Sequence, residues 1–186
     1  MPKRHASVHR AFDLSDWAYF LDFALVPIAI VAACFYAFAH QLSEIAVWPS
    51  FLGGLVIWSF AEYWIHRAIF HGATRFEPMH QQHHALPKDM IGAASWATFG
   101  GFSLFWIAAM LCAGQATGSM ISAGFMAGYI FYCAIHVSMH HTGAFGFGRY
   151  GQMMMRLHRA HHRGGKGNFG VSSPIWDFVF RTYHPI

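Results

Sequence analysis

The chain has 186 residues, enough for one domain and few for two. Hydrophobic residues make up 55% and charged residues 11%, against about a quarter charged in ordinary soluble domains, so a conventional water-soluble fold is excluded and the bilayer is the expected solvent. The net charge of +4 comes from basic residues broken up by long apolar runs rather than gathered in one stripe, so no nucleic-acid partner is expected.

The opening residues Met1 to Arg10 are basic, but the apolar run after them is too long for a signal-peptide core and lacks a small-residue cleavage site. That segment is expected to stay attached. Four stretches can cross a hydrocarbon core of about 30 Å, which needs about 20 helical residues: residues 17–39, 48–65, 93–112 and 120–139, to within a few positions. The second carries Glu62 near its end and is expected to run past the membrane surface. After the fourth comes a glycine-rich loop from Thr142 to Gly151. A helix over 152–162, a glycine-rich turn at 164–167 and an amphipathic interfacial helix over 174–181 follow. The predicted fold is an all-α integral membrane protein: four transmembrane helices and a cytoplasmic histidine-rich helical cap (66–90 and 140–186), with 1–186 as one domain.

The orientation rests on the cations. Lys3, Arg4 and Arg10 precede the first span; Arg67, Arg75 and Lys88 lie between the second and third; Arg149, Arg156, Arg159, Arg163, Lys166 and Arg181 follow the fourth. The loops on the other side, 41–47 and 113–119, have no Lys or Arg, so both termini are expected to be cytoplasmic. Cys34, Cys112 and Cys133 stand alone in apolar runs and read as small buried residues, not as a disulfide or thiolate set.

Ten histidines form four clusters: His66 and His71; His80, His83 and His84; His136 and His140; His158, His161 and His162. Residues three and four apart on a helix are neighbours, so each of the last three clusters can present its imidazoles from one face as a chelating unit. His66 and His71 are five apart, about 140° around an α-helix. Either the helix unwinds between them or they serve different metals. The predicted topology returns all four clusters to one side of the membrane. Ten imidazoles exceed what one ion can use, and no carboxylate lies inside a cluster, so two histidine-ligated metals fit. Imidazole alone does not choose among iron, zinc, copper and nickel.

Other residues are secondary. Glu62 is one turn deeper than His66 and can orient that histidine or pair with Arg67. His141 projects about 100° from His140 and is a weaker candidate; His184 is left open. His5, His9 and His40 lack cluster spacing and read as structural. Gly124-x-x-x-Gly128 and Met153 to Met155 read as packing features.

The clusters, their order and the intervening membrane hairpin resemble the fatty acid hydroxylase and sterol desaturase superfamily of membrane di-iron enzymes, over about Ser59 to Tyr183. Glu62-Tyr63-Trp64-Ile65-His66-Arg67-Ala68-Ile69-Phe70-His71 looks like the family's first box and His83-His84-Ala85-Leu86-Pro87-Lys88-Asp89 like its second. The stretch from Asn168 to Phe180, which includes Asp177, looks like the segment after the last box, which makes Asp177 a further candidate to support the ligands. The resemblance implies that the ten clustered histidines hold two iron ions, with zinc able to replace them on purification. With dioxygen as co-substrate and two electrons, these would hydroxylate, or desaturate, a membrane lipid. The His-x-x-x-His third box is similar to that of fatty acyl hydroxylases, which implies an acyl substrate over a sterol or carotenoid. With no cytochrome domain ahead of the first span, the expected electron donor is separate, a b-type cytochrome or a ferredoxin-like protein with its reductase. A bacterial inner membrane is favoured, or the endoplasmic reticulum for a eukaryotic source; the oligomeric state is open. A metal transporter or sensor is the rival from another class, and would place its ligands near the membrane midplane or on mobile loops.

Overall fold

The computed structural model describes residues 12–186; Lys3, Arg4, Arg10, His5 and His9 lie outside them. Among the described residues there are seven α-helices and no strands. Helix α1 is Asp16–Ala39 and α2 is Glu44–Trp64, which continues as a π-helical turn, Ile65–Phe70. Then come α3 (Glu77–Ala85), α4 (Ser95–Ala113), α5 (Gln115–His141), α6 (Gly148–Gly164) and α7 (Ile175–Val179).

Four helical segments are long and apolar enough to cross a membrane: Asp16–Ala39, Glu44–Phe70, Ser95–Ala113 and Gln115–His141. Their outward faces carry large apolar side chains such as Val31, Phe35, Leu52, Leu104 and Leu111, all more than half exposed. Lipid would cover these faces. The fourth span starts at Gln115 instead of Met120 because the expected loop shrinks to one residue. Gly114 takes φ +82°, a conformation open to glycine, and reverses the chain at once. Cys112 is exposed rather than buried.

Helix α5 is central and packs against α1, α2 and α4. Small residues allow that: a Cβ on Gly54 would lie 2.0 Å from the Ile121 carbonyl oxygen, and one on Gly124 would lie 2.0 Å from that of Phe51. Gly128 lies under the Trp58 ring. The Gly124-x-x-x-Gly128 pair therefore serves contact within the chain, by the close backbone approach that membrane helices use. Above it Trp58 meets Phe125 and Tyr129 edge-on at 5.1 and 5.2 Å.

A second, smaller core lies in the cap, where Met154 and Leu157 of α6 pack with Ile135, Met139 and Val171. Met154 is thus a packing residue, as expected, while Met153 is exposed. The predicted interfacial helix over 174–181 is only Ile175–Val179. Ile175, Phe178 and Val179 face outward, and Asp177 is buried beneath them.

Gly53 and Gly54 are adjacent but face opposite environments, since a Cβ on Gly53 would meet nothing within 4 Å. In purified protein Gly53→Ala should leave the thermal midpoint unchanged or raised, since alanine favours a helix over glycine by about 1 kcal/mol. Gly54→Ala should destabilise by about 1–3 kcal/mol through overpacking. Equal midpoints would refute the close-contact account.

Candidate metal centre

The ten clustered histidines converge at one end of the helical bundle, in two groups of five. One holds His66, His71, His80, His84 and His161; the other holds His83, His136, His140, His158 and His162. Within each group one ligating nitrogen per residue lies within 4.8 Å of every other. The groups adjoin: the His84 and His162 rings stack at 4.2 Å, 5° from parallel.

This division departs from the expectation that each three-histidine cluster serves as one unit. On α3, His80 and His84 turn to one group and His83 to the other; on α6, His158 and His162 turn to one and His161 to the other. The physical reason is helical pitch. Residues i and i+4 are about 40° apart, whereas i+3 falls about 60° to the other side. A helix wedged between two centres therefore feeds both.

His66 and His71 join the same group because the backbone changes form between them. The His71 N–H donates to the His66 carbonyl at 3.2 Å, the i→i+5 bond of a π turn. Residues five apart are thereby stacked as residues four apart are on an α-helix. Of the two alternatives left open by the sequence, the helix unwinds.

More nitrogens crowd together than hydrogen bonding can explain. His80 Nε2 lies 3.0 Å from His66 Nε2, 3.0 Å from His71 Nε2 and 2.9 Å from His84 Nε2. His158 Nε2 is 3.1, 3.0 and 3.0 Å from those of His136, His140 and His162. A neutral imidazole has one N–H and cannot satisfy three such neighbours. In the first group two rings have already committed it: His66 Nδ1 donates to the Phe169 carbonyl at 2.5 Å and His161 Nδ1 to that of Gly167 at 2.8 Å. Their Nε2 atoms present lone pairs inward. Nitrogens about 2.1 Å from one ion stand about 3.0 Å apart at right angles and about 3.4 Å apart in a tetrahedron. The observed spacing of 2.9–3.1 Å fits the former. In the second group His83 Nε2 is buried with no hydrogen-bond partner among the described residues. The donor set and its spacing fit two divalent transition-metal ions.

Burial keeps these rings neutral, the form that binds metal. It pushes His83 and His161 down to about 3 and His84 to about 4 from an ordinary 6.5. His162 falls to about 2, and burial likewise lowers His80 and His158 well below the usual value. Neighbouring imidazoles add to burial at His83, His84, His80 and His158 by repelling a second positive charge.

Glu62 makes neither a hydrogen bond to His66 nor an ion pair with Arg67. Its Oε1 accepts the N–H groups of Val171 and Ser172 at 2.7 and 2.8 Å, and the Ser172 hydroxyl donates to Oε2. Asp177 takes the two preceding amides, Phe169 and Gly170, both at 2.8 Å. Four consecutive amides thus point at two buried carboxylates, and the chain between them carries the Phe169 carbonyl to His66. A Cβ on Gly170 would lie 2.0 Å from the Ser173 carbonyl oxygen, so only glycine fits there.

Asp177 also accepts from Thr182 at 2.7 Å. That leaves the Thr182 oxygen to accept from Tyr63, 3.0 Å away, whose own oxygen accepts from Arg67 at 2.8 Å. His141 is exposed and outside both groups. His184 is also outside them; its ring packs on Gly167 and its backbone pairs with the Asn168 side chain at 2.9 and 3.1 Å. The Gly167 and Phe169 carbonyls were not foreseen, since backbone acceptors leave no residue-type signal. His40 stacks on Tyr36 at 4.0 Å, a structural role as expected.

A cavity of about 450 Å³ lies beside both groups and between α1, α2, α4 and α5. Its wall includes His66, His80, His83, His136 and His158 at one end and Phe102 and Phe125 deeper in the bundle. A second cleft, of about 670 Å³, reaches His140 and His162 from the outer side of the cap, between Lys88, Arg156, Arg159 and Arg163.

The sequence profile of the fatty acid hydroxylase family matches residues 51–182. The chain is 28% identical to fatty acid 2-hydroxylase of Mus musculus over 183 residues, which is 91% of this chain and 49% of that protein. It is 31% identical to a dihydroceramide fatty acyl 2-hydroxylase of Arabidopsis thaliana over 144 residues, 72% of this chain and 60% of that one. The chain therefore spans about half the length of its mammalian relatives. A solved structure of scs7p, in which only the hydroxylase domain is visible, superposes with a TM-score of 0.78 at 22% identity, covering 90% of this chain and 67% of that one. At that identity the likeness is one of fold.

Two predictions follow from the geometry of the cap. The metal-free protein should lose stability as pH falls below about 6.5, where the unfolded chain takes up protons that the buried rings refuse, and the loss should continue to about pH 3–4. Thermal melts of chelator-treated protein from pH 8 to 4 check this; a flat profile would contradict neutral burial. Glu62→Ala should unprotect the Val171 and Ser172 amides in hydrogen exchange, with a loss of about 1–3 kcal/mol for each buried N–H left unpaired. Unchanged protection would show that the loop holds itself.

Proposed function

The chain belongs to the fatty acid hydroxylase family, and on that footing we propose that it hydroxylates a C–H bond of a membrane lipid, on its fatty acyl chain. The observation that carries this reading is the pairing of two five-histidine groups with an apolar cavity that leads from them into the bundle. An acyl chain matches such a cavity in chemistry, and His66, His80, His83, His136 and His158 form part of its wall.

The ten histidines of the two groups are the proposed ligands of two iron ions. Held by these residues, iron would supply the redox chemistry that side chains lack, so that dioxygen with two electrons and two protons could give a hydroxylated chain and water. Side-chain acid–base chemistry does not reach an unactivated C–H bond, and zinc, which has no redox chemistry, fills such a site without turnover.

The protein's own work is placement. Glu62 and Asp177 fix the loop whose carbonyls hold His66 and His161, the kind of support that orients metal-bound imidazoles and raises their basicity. Trp58, Phe102 and Phe125 line the deeper part of the cavity and would shield the body of the chain from water. The electron donor, a b-type cytochrome or a ferredoxin-like protein, would meet the outer cleft, where Lys88, Arg156, Arg159 and Arg163 favour an acidic partner near His140 and His162. The basic residues point to a cytoplasmic cap with both termini on that side, and the chain is read as one catalytic unit.

Purified protein should carry about two ions per chain, a shell of five nitrogens for each. His80→Ala and His158→Ala should each cost one ion. Lipid extracts of expressing cells should contain an oxygenated acyl species that falls by more than the roughly 10- to 100-fold typical of changes to supporting residues. Metal retained in both variants, or no oxygenated lipid from the wild type, would overturn the proposal.

A further inference from the structure

One buried acid has no part in the metal cap. Asp22 lies in the second turn of α1, inside a membrane-spanning segment, and is 6% exposed. Its Oδ2 accepts a hydrogen bond from the Tyr129 hydroxyl at 2.5 Å. Its Oδ1 is buried and meets no hydrogen-bond partner among the described residues. Both residues line the apolar cavity that reaches the histidines, in company with Phe23 and Phe102.

An ionisable group at membrane depth is costly unless it has a partner, and a buried acceptor left unpaired has lost its solvation without replacement. A leucine would fill the same wall without that penalty. The tyrosine does not relieve it: one hydroxyl proton satisfies one oxygen and fixes the direction of the other. The result is a pre-aimed acceptor in an otherwise apolar wall, the usual composition of a selective lipid or small-molecule site.

An oxygen that lacks a donor limits what it can bind. A fatty acid anion, an ester or a thioester brings only further acceptors. A hydroxyl or an amide N–H brings the missing proton. Because Asp22 is near the cap end of α1, a donor held there lies toward the polar end of a lipid whose chain passes the histidines.

We propose that Asp22 Oδ1, aimed by Tyr129, is a lipid-recognition site that accepts a hydrogen bond from a neutral donor, a hydroxyl or amide N–H, at the polar end of the substrate. It thereby favours donor-bearing lipids and sets which carbon faces the histidines. The inference rests on the lipid hydroxylase reading for its substrate but concerns binding, which is measurable without turnover.

The test uses the full-length protein in nanodiscs and four probes with one acyl chain: an N-acyl amino alcohol, its N-methyl amide, its O-methyl ether, and the methyl ester of the acid. Equilibrium binding to wild type should favour the N-acyl amino alcohol over the methyl ester by about tenfold, one hydrogen bond's worth. The methylated probe that loses the preference identifies the donor. Asp22→Leu should abolish the preference by weakening the N-acyl amino alcohol alone, and Tyr129→Phe should reduce it. Asp22→Asn, which conserves shape, keeps the test open if the leucine variant fails to fold. In turnover, the same variants should spread the hydroxyl over neighbouring carbons.

Equal binding of all four probes to wild type would mean that the carboxyl holds only solvent, and would overturn the proposal. So would an equal loss for every probe in both Asp22 variants, which marks a structural role. Wild type that binds with the predicted preference but oxygenates nothing would refute the hydroxylase reading and leave the recognition site standing.

Discussion

The structure depends on one constraint: nine of the ten clustered imidazoles hold a nitrogen about 3 Å from that of another, with too few protons to link them. Lone pairs brought this close repel unless a cation lies between them, and protonated rings would repel still more. The cap therefore has to keep its histidines neutral, keep water out and resist their mutual repulsion. The features around it answer those demands. The π turn after α2 and the wedged positions of α3 and α6 bring distant rings to common points, and burial suppresses protonation.

Resistance to that repulsion comes from the loop between Gly167 and Ser172. Carboxylates are absent from the histidine groups, but two act on them at one remove. Glu62 and Asp177 each spend their charge on backbone amides, and the peptide groups so fixed offer carbonyls to His66 and His161. A carboxylate in direct contact with an imidazole would bring a charge into the site. Placed behind the peptide chain it supplies rigidity instead. The chain Arg67, Tyr63, Thr182 and Asp177 extends the same framework across the base of α2.

The membrane helices serve the cap by leaving a space beneath it. Glycines at the contact of α2 with α5 bring those backbones together on one side, while aromatic side chains hold α1 and α4 around a cavity on the other. Tight packing and an open channel thus coexist in one small bundle, and Asp22 and Tyr129 give the channel a polar mark in an otherwise apolar wall.

Much of this was legible in the sequence because its signals are local. Apolar runs of membrane length gave the four spans, and histidines at helical spacing gave the four clusters, since both patterns depend on residue type and pitch alone. The short start of α5 was missed because a single glycine at φ +82° does the work of a loop. Tertiary structure decided what periodicity leaves open: that His83 and His161 leave their cluster-mates for the opposite group, that a π turn unites His66 with His71, and that Glu62 binds backbone rather than a ring. Each of those outcomes depends on which surface a neighbouring helix presents and on peptide groups that every residue carries alike, and a one-dimensional pattern records neither.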